Sequence, residues 1–181
     1  MSGNVVSRDC VFVTRRLSVE PWHGAADKYG IDLTAAVAAI LSPRTTRALP
    51  PAWQGGYTVE RARRWVVERD RESVTLLVVD RYSDEPVGLM ILYENASEHG
   101  AQRRLRIGYV IKQSSWRKGI ASELVSGLVQ WARAQPLVGS ITGGVESQNA
   151  ASARVLTKNG FSLINRDSNG ETETYTLELR I

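Results

Sequence analysis

The chain has 181 residues, 43% of them hydrophobic and 23% charged, the balance of one globular domain over residues 1–181. At that length folding buries roughly 70% of the surface that the unfolded chain exposes, which excludes a mini-domain held together by disulfides or a structural metal. The 23 Lys and Arg against 19 Asp and Glu leave a net charge of +4, enough to favour an anionic ligand and too little to imply nucleic acid alone.

The predicted elements are short and alternating. Residues 1–9 have polar side chains where a signal peptide needs a continuous apolar stretch, and read as a flexible N-terminus. Cys10, the one cysteine, reads as a small buried hydrophobe ahead of an opening strand over residues 11–19. Residues 33–41 read as a helix ended by Ser42-Pro43, because the residue before a proline is pushed out of the helical region. After a loop containing Pro and Gly comes an amphipathic helix from Thr58, a good N-cap, to Arg71. In it Val59, Ala62, Trp65 and Val66 recur at three and four residues. Residues 73–80 and 87–94 are apolar runs separated by Tyr82-Ser83-Asp84-Glu85-Pro86, a turn composition that predicts an antiparallel hairpin.

Residues 105–111 alternate between two unlike faces, with Gly108 marking either a close backbone approach or a bulge. After Gly119 the stripe Ile120, Leu124, Val125, Leu128, Val129 and Ala132 predicts a helix that Pro136 closes. A strand over residues 137–145, a helix over 149–159 ended by Gly160, and strands over 161–165 and 172–181 complete the chain. Strands paired first by a hairpin and later through helices predict an α/β fold with one mixed, mostly antiparallel sheet and helices on both faces.

Chemistry enters at Trp116-Arg117-Lys118-Gly119-Ile120-Ala121-Ser122, where a strand gives way to a helix. A helix N-terminus presents unpaired N–H groups and partial positive charge, so this stretch is either an anion site or a solvated basic turn. One strand later comes the helix entry Asn149-Ala150-Ala151-Ser152, whose helix ends in Gly160-Phe161. Together these segments resemble the GNAT acetyltransferase family. Residues 116–121 are similar to its pyrophosphate loop, usually Arg/Gln-x-x-Gly-x-Gly/Ala, with Trp116 where Arg or Gln is commoner. Trp there, Thr14-Arg15-Arg16-Leu17, Ile107-Gly108-Tyr109 and the Asn-x-x-Ser entry resemble the RimJ/RimL-like branch, and the match runs over residues 11–181.

The resemblance implies acetyl-CoA as cosubstrate and no metal. It implies a diphosphate held by Arg117, Lys118, Gly119, Ile120, Ala121 and Ser122, and a pantetheine arm beside Tyr109, Val110 and Ile111, with Asn149 at the same site. Family members often protonate the departing thiolate with a tyrosine in the last helix; that position here is Leu156, so Ser152 becomes the expected donor. Arg106 stands where the branch often has a catalytic Glu, and serves either to orient an acidic substrate group or as a solvated charge. Glu94, Glu98, His99, Glu146, Asp167 or a water held by Asn149 remain as base candidates, and Trp53 and Tyr57 as walls of an amine pocket. The implied reaction is direct acetyl transfer to a primary amine, of a protein N-terminus or a small molecule, by a cytoplasmic monomer or homodimer without membrane contact. The alternatives are a catalytically weak acyl-CoA-binding module and nucleic-acid binding through Arg103, Arg104, Arg106, Arg117 and Lys118.

Overall fold

The computed structural model describes residues 6–96 and 102–179. Eight strands form one sheet: β1 (Phe12–Val13), β2 (Leu17–Pro21), β3 (Val74–Asp80), β4 (Pro86–Ala96), β5 (Arg103–Ile111), β6 (Val138–Glu146), β7 (Ser162–Arg166) and β8 (Thr172–Glu178). Their spatial order is β1-β2-β3-β4-β5-β6-β8-β7. Every neighbouring pair is antiparallel except β5 and β6, which run parallel. The helices are α1 (Trp22–Tyr29), α2 (Leu33–Ile40), α3 (Val59–Glu72), α4 (Ile120–Arg133) and α5 (Ala150–Lys158).

Three of the helices start on the side chains that the sequence offers. Asp32 accepts the Ala35 N–H at 3.0 Å, Thr58 the Arg61 N–H at 3.1 Å, and Asn149 the Ser152 N–H at 3.2 Å. The two faces of the sheet bury separate cores. Leu124, Val125 and Leu128 of α4 and Leu156 of α5 pack with Leu92, Leu105, Ile107 and Ile141 on one side. On the other, Trp22, Val37, Ile40, Trp65 and Val66 from α1–α3 cover Leu77, Val79, Leu89, Ile91 and Val110, which belong to β3, β4 and β5. Among the described residues this second core takes nothing from β6, β8 or β7.

Four expectations change. The single opening strand is a hairpin, β1 against β2, because residues 14–16 turn back: the Thr14 N–H donates to the Leu17 carbonyl at 2.9 Å and the Thr14 hydroxyl accepts the Leu17 N–H at 3.1 Å. Residues 6–9 of the expected loose N-terminus form a 3-10 turn with Ser7 buried, its N–H donating to Glu94 at 3.0 Å. A further helix, α1, follows Pro21 directly and ends on Gly30 in the left-handed region, φ 63°. Finally, Gly108 is neither bulged nor crowded. The β4–β5 register runs through Gly108↔Ile91 unbroken, and no atom lies within 4 Å of where a Cβ would stand.

The close approach falls instead at Gly88, where a Cβ would lie 2.8 Å from the Val110 carbonyl oxygen and 3.0 Å from Ile111 Cδ1. Backbone cannot yield as a side chain does, so Gly88→Ala should cost about 1–3 kcal/mol. Gly108→Ala should leave stability within about 0.5 kcal/mol of the parent. Paired urea unfolding curves check both expectations.

Candidate active site

The ladder between β5 and β6 runs from Arg103↔Val138 to Ile107↔Gly143 and stops there. Beyond it β5 pairs only with β4 and β6 only with β8, so the sheet opens into a V. At the apex Leu156 fills the corner, with a methyl 3.0 Å from where a Gly143 Cβ would stand. Strand backbone groups point alternately to either side. The Lys112 N–H donates to Val87 at 2.8 Å, so Val110, two residues earlier, also turns its polar groups towards β4. Tyr109 and Ile111 therefore face the opening. The Trp116 indole N–H takes the Ile111 carbonyl at 2.8 Å, which leaves the Tyr109 N–H and carbonyl and the Ile111 N–H along that wall.

The wall leads to the start of α4. Arg117 and Gly119 both sit in the left-handed region, φ 60° and 75°, which turns the backbone N–H groups of the loop to one side. Gly119 caps α4 without a side-chain bond, so the first-turn N–H groups keep no partner in the helix and carry the positive end of its dipole. Arg117 and Lys118 are exposed beside them.

Behind this loop lies a knot that sequence reasoning missed. Arg16 donates from Nη1 to the Lys118 carbonyl at 2.8 Å, from Nε to Glu123 Oε2 at 2.6 Å, and from its backbone N–H to Glu123 Oε1 at 2.8 Å. The Thr14 hydroxyl donates to the same Oε1 at 2.6 Å. Burial pushes the Glu123 carboxyl up, but the bonds from Thr14 and Arg16 and the guanidinium charge outweigh it and hold it below its ordinary value. The Thr14-Arg15-Arg16-Leu17 motif was visible in the sequence; its partner, 107 residues away, was not. Asn159 adds a second tie, its Nδ2 donating to the Ser122 carbonyl and hydroxyl oxygens at 3.3 Å each.

On the β6 side, Asn149 is occupied as the α5 cap, and half-buried Ser152 stands in the first turn of that helix. Across from it the Tyr109 hydroxyl is buried and has no partner in hydrogen-bond geometry. Burial raises the pKa of this phenol, and the Ser152 side chain pulls it the other way.

Arg106 lies on the opposite face of the sheet, with Nη2 3.7 Å from where a Gly144 Cβ would stand, just past the apex. Trp53 and Tyr57 are knitted into the aromatic cluster on Trp65, at ring-centroid distances of 5.5 and 6.3 Å. The Tyr57 hydroxyl donates to the Trp53 carbonyl at 2.9 Å, and the Arg69 guanidinium stacks 4.4 Å from the Trp53 ring.

The base candidates separate. Glu94 pairs with Arg103 at 3.6 Å and accepts the Ser7 N–H, on the closed side of Ile107. Asp167 accepts the Glu171 N–H at 2.7 Å in the turn before β8, and the Thr172 backbone bond leads the causes that lower its pKa. Glu146 is exposed at the end of β6, on the rim of the V. Glu98 and His99 lie outside the described residues. Among the described residues no group of three or more His, Cys, Asp or Glu is placed to hold a metal ion, and no helix is long and apolar enough to cross a membrane.

The sheet is thus parted between two parallel strands, with a cation-flanked helix end that no side chain caps at the mouth of the gap. Residues 25–162 match the model of the acetyltransferase (GNAT) domain, and the chain belongs to that family. It is 33% identical over 105 residues to YoaA, an uncharacterized N-acetyltransferase of Bacillus subtilis (strain 168), a match covering 58% of this chain. The chain spans about half the length of that curated relative, 51%. In fold it resembles a GNAT-family acetyltransferase from Bacillus anthracis, with a TM-score of 0.76, 18% identity, and 94% of this chain and 99% of that one covered. It also resembles a ribosomal-protein-S5-alanine acetyltransferase from Vibrio fischeri, with a TM-score of 0.61, 20% identity, and 94% and 97% covered.

Removing the charge of Glu123 should loosen the loop. Glu123→Gln is expected to cost about 1–3 kcal/mol at neutral pH, the range for charge-assisted hydrogen bonds. A carboxyl whose folded pKa is depressed contributes stability above its unfolded value, near 4.5, and loses it as pH falls through the lower folded value. Denaturant unfolding at a series of pH values should therefore show parent and variant apart at pH 7 and converging in acid.

Proposed function

We propose that this chain transfers an acetyl group from acetyl-CoA to a primary amine. One observation carries the reading: the open backbone groups of Tyr109 and Ile111 stand on the strand that precedes the uncapped end of α4, flanked by Arg117 and Lys118. Amide groups of the pantetheine arm would pair with that wall as an added strand. The N–H groups of residues 117–122 would receive the diphosphate, and the absence of a side chain at Gly119 lets it approach.

Acetyl-CoA supplies an activated acyl group, so the chain needs to provide position and charge stabilisation and no nucleophile of its own. The Tyr109 or Ile111 N–H would stabilise negative charge on the acyl oxygen, a role worth roughly 3–4 kcal/mol where such donors have been removed. The acceptor would approach from the opposite face, over Gly108, where no side chain obstructs. There Arg106 would orient an acidic group on the acceptor, and Glu146 on the β6 rim, or a water held by Asn149, would take the amine proton. The acceptor is a protein N-terminus or a small amine; the Vibrio fischeri structure, named as a ribosomal-protein acetyltransferase, lends the first some support.

Two features favour a second reading, an acyl-CoA-binding module with little turnover. An arginine occupies position 106, and Leu156 fills the apex. Calorimetry with acetyl-CoA, followed by thiol release over a panel of amines and peptides, separates them. Amine-dependent release supports the enzyme, and binding without release on any amine supports the module.

Gly119→Glu places bulk and negative charge on the proposed diphosphate path at a residue with φ 75°. It should weaken acetyl-CoA binding by calorimetry at least about tenfold. Arg106→Glu should leave that affinity unchanged and shift acceptor preference from acidic towards basic amines, read as KM across the panel.

A further inference from the structure

We infer that the Tyr109 hydroxyl is the group that meets the cosubstrate sulfur and stabilises the departing thiolate, with Ser152 acting through it. This rests on the acetyl-CoA reading above. The direction of the ligand track places the reacting end: with the diphosphate at residues 117–122, the arm runs back along Ile111 towards the apex at Ile107. The strand residue level with the thioester is then Tyr109. Its side chain points to the face of α4 and α5, packing against the core that holds Leu156.

Three properties suit it to the role. The hydroxyl is buried and makes no hydrogen bond of good geometry in the folded protein, while the Ser152 side chain lies near enough to act on its pKa. Such a group costs stability unless a ligand satisfies it. Burial also holds the phenol above its ordinary value of 10.0, so it is neutral and protonated at physiological pH and serves as donor, never as base. Leu156 on the neighbouring helix offers no polar atom at the apex, where it packs towards Gly143.

As the amine nitrogen bonds to the acyl carbon, the C–S bond breaks and its electron pair stays on sulfur. Tyr109 donates its hydrogen bond to that sulfur and passes its proton there. The Ser152 hydroxyl returns a proton to the phenolate and regains one from solvent. The surplus proton on the amine nitrogen leaves through Glu146 or the water held by Asn149 to solvent, so the overall proton count is unchanged.

The test uses the full chain and Tyr109→Phe, which keeps the ring and removes only the hydroxyl, so its thermal unfolding midpoint should stay close to the parent's. Calorimetry with CoA and acetyl-CoA comes first; if the parent binds neither, the acetyl-CoA reading fails and this inference with it. With binding intact, the ultraviolet absorbance of the bound CoA thiolate is followed against pH, a measurement that needs no acceptor. The bound thiol should ionise about one pH unit lower in the parent than in Tyr109→Phe. On any amine that is turned over, kcat of the variant should fall about 100-fold at little changed KM for acetyl-CoA. Ser152→Ala should fall less. Equal thiol ionisation in parent and variant would overturn the assignment to Tyr109, whatever happens to turnover, while leaving the cosubstrate reading in place.

Discussion

The parting of β5 from β6 after Ile107↔Gly143 is the constraint on which the rest of the site depends. Two parallel strands that stop pairing midway leave backbone donors and acceptors unpaired, which a folded chain tolerates only where solvent or a ligand reaches them. Here the parting is enforced from both sides. β4 holds β5 through Gly88↔Ile111, where the missing Cβ lets the strands close, and β8 holds β6 through Glu146↔Thr172. Leu156, packed into the corner beside Gly143, occupies the apex.

The net positive charge resolves into different local roles. Arg16 turns its charge onto Glu123 and one donor onto Lys118, so it shapes the loop and adds little free field to it. Arg69 is buried against Trp53 and paired with Glu72 at 3.0 Å. The run Arg103, Arg104 and Arg106 does not act as one patch: Arg103 pairs with Glu94, while Arg104 and Arg106 are exposed. What remains near the helix end is Arg117 and Lys118 together with the dipole of α4. A diphosphate needs such a concentrated site, whereas a nucleic-acid backbone would need a continuous track.

Much of this was legible in the sequence because it is local. The apolar stripe of α4, the Thr58 and Asn149 caps and the alternation of residues 105–111 each reflect neighbours a few residues apart, and all three stand in the structure. α1 escaped because its eight residues include Gly24 and follow a proline. The opening strand was split by a turn whose stabilising bonds are between Thr14 and Leu17. The glycine that permits close approach is Gly88, and nothing near it in sequence distinguishes it from Gly108. At the site, the loop and the wall were legible as a family resemblance. Which wall residues are open was not, because that depends on whether Lys112 faces β4, a question of register and not of residue type.

A β-sheet ordinarily keeps its two faces apart, and here the two candidate substrates would belong to different faces. The proposed anionic track would run on the side of α4 and α5; Arg106 and the space over Gly108 lie on the other, where the core under α1–α3 takes nothing from β6 among the described residues. Only where β5 and β6 have separated does the sheet give one face access to the other. In the proposed reaction an amine arriving from the Arg106 side would meet an acyl group held from the opposite side without either ligand crossing the other's path. Trp53 and Tyr57 belong to the aromatic cluster on Trp65 that packs α3 against this face of the sheet. The loop before α4 and the first turn of that helix are tied instead to the β1–β2 turn and the end of α5 through Thr14, Arg16 and Asn159. The two faces of the opening thus rest on separate supports, the aromatic cluster on one and the ties from Thr14, Arg16 and Asn159 on the other.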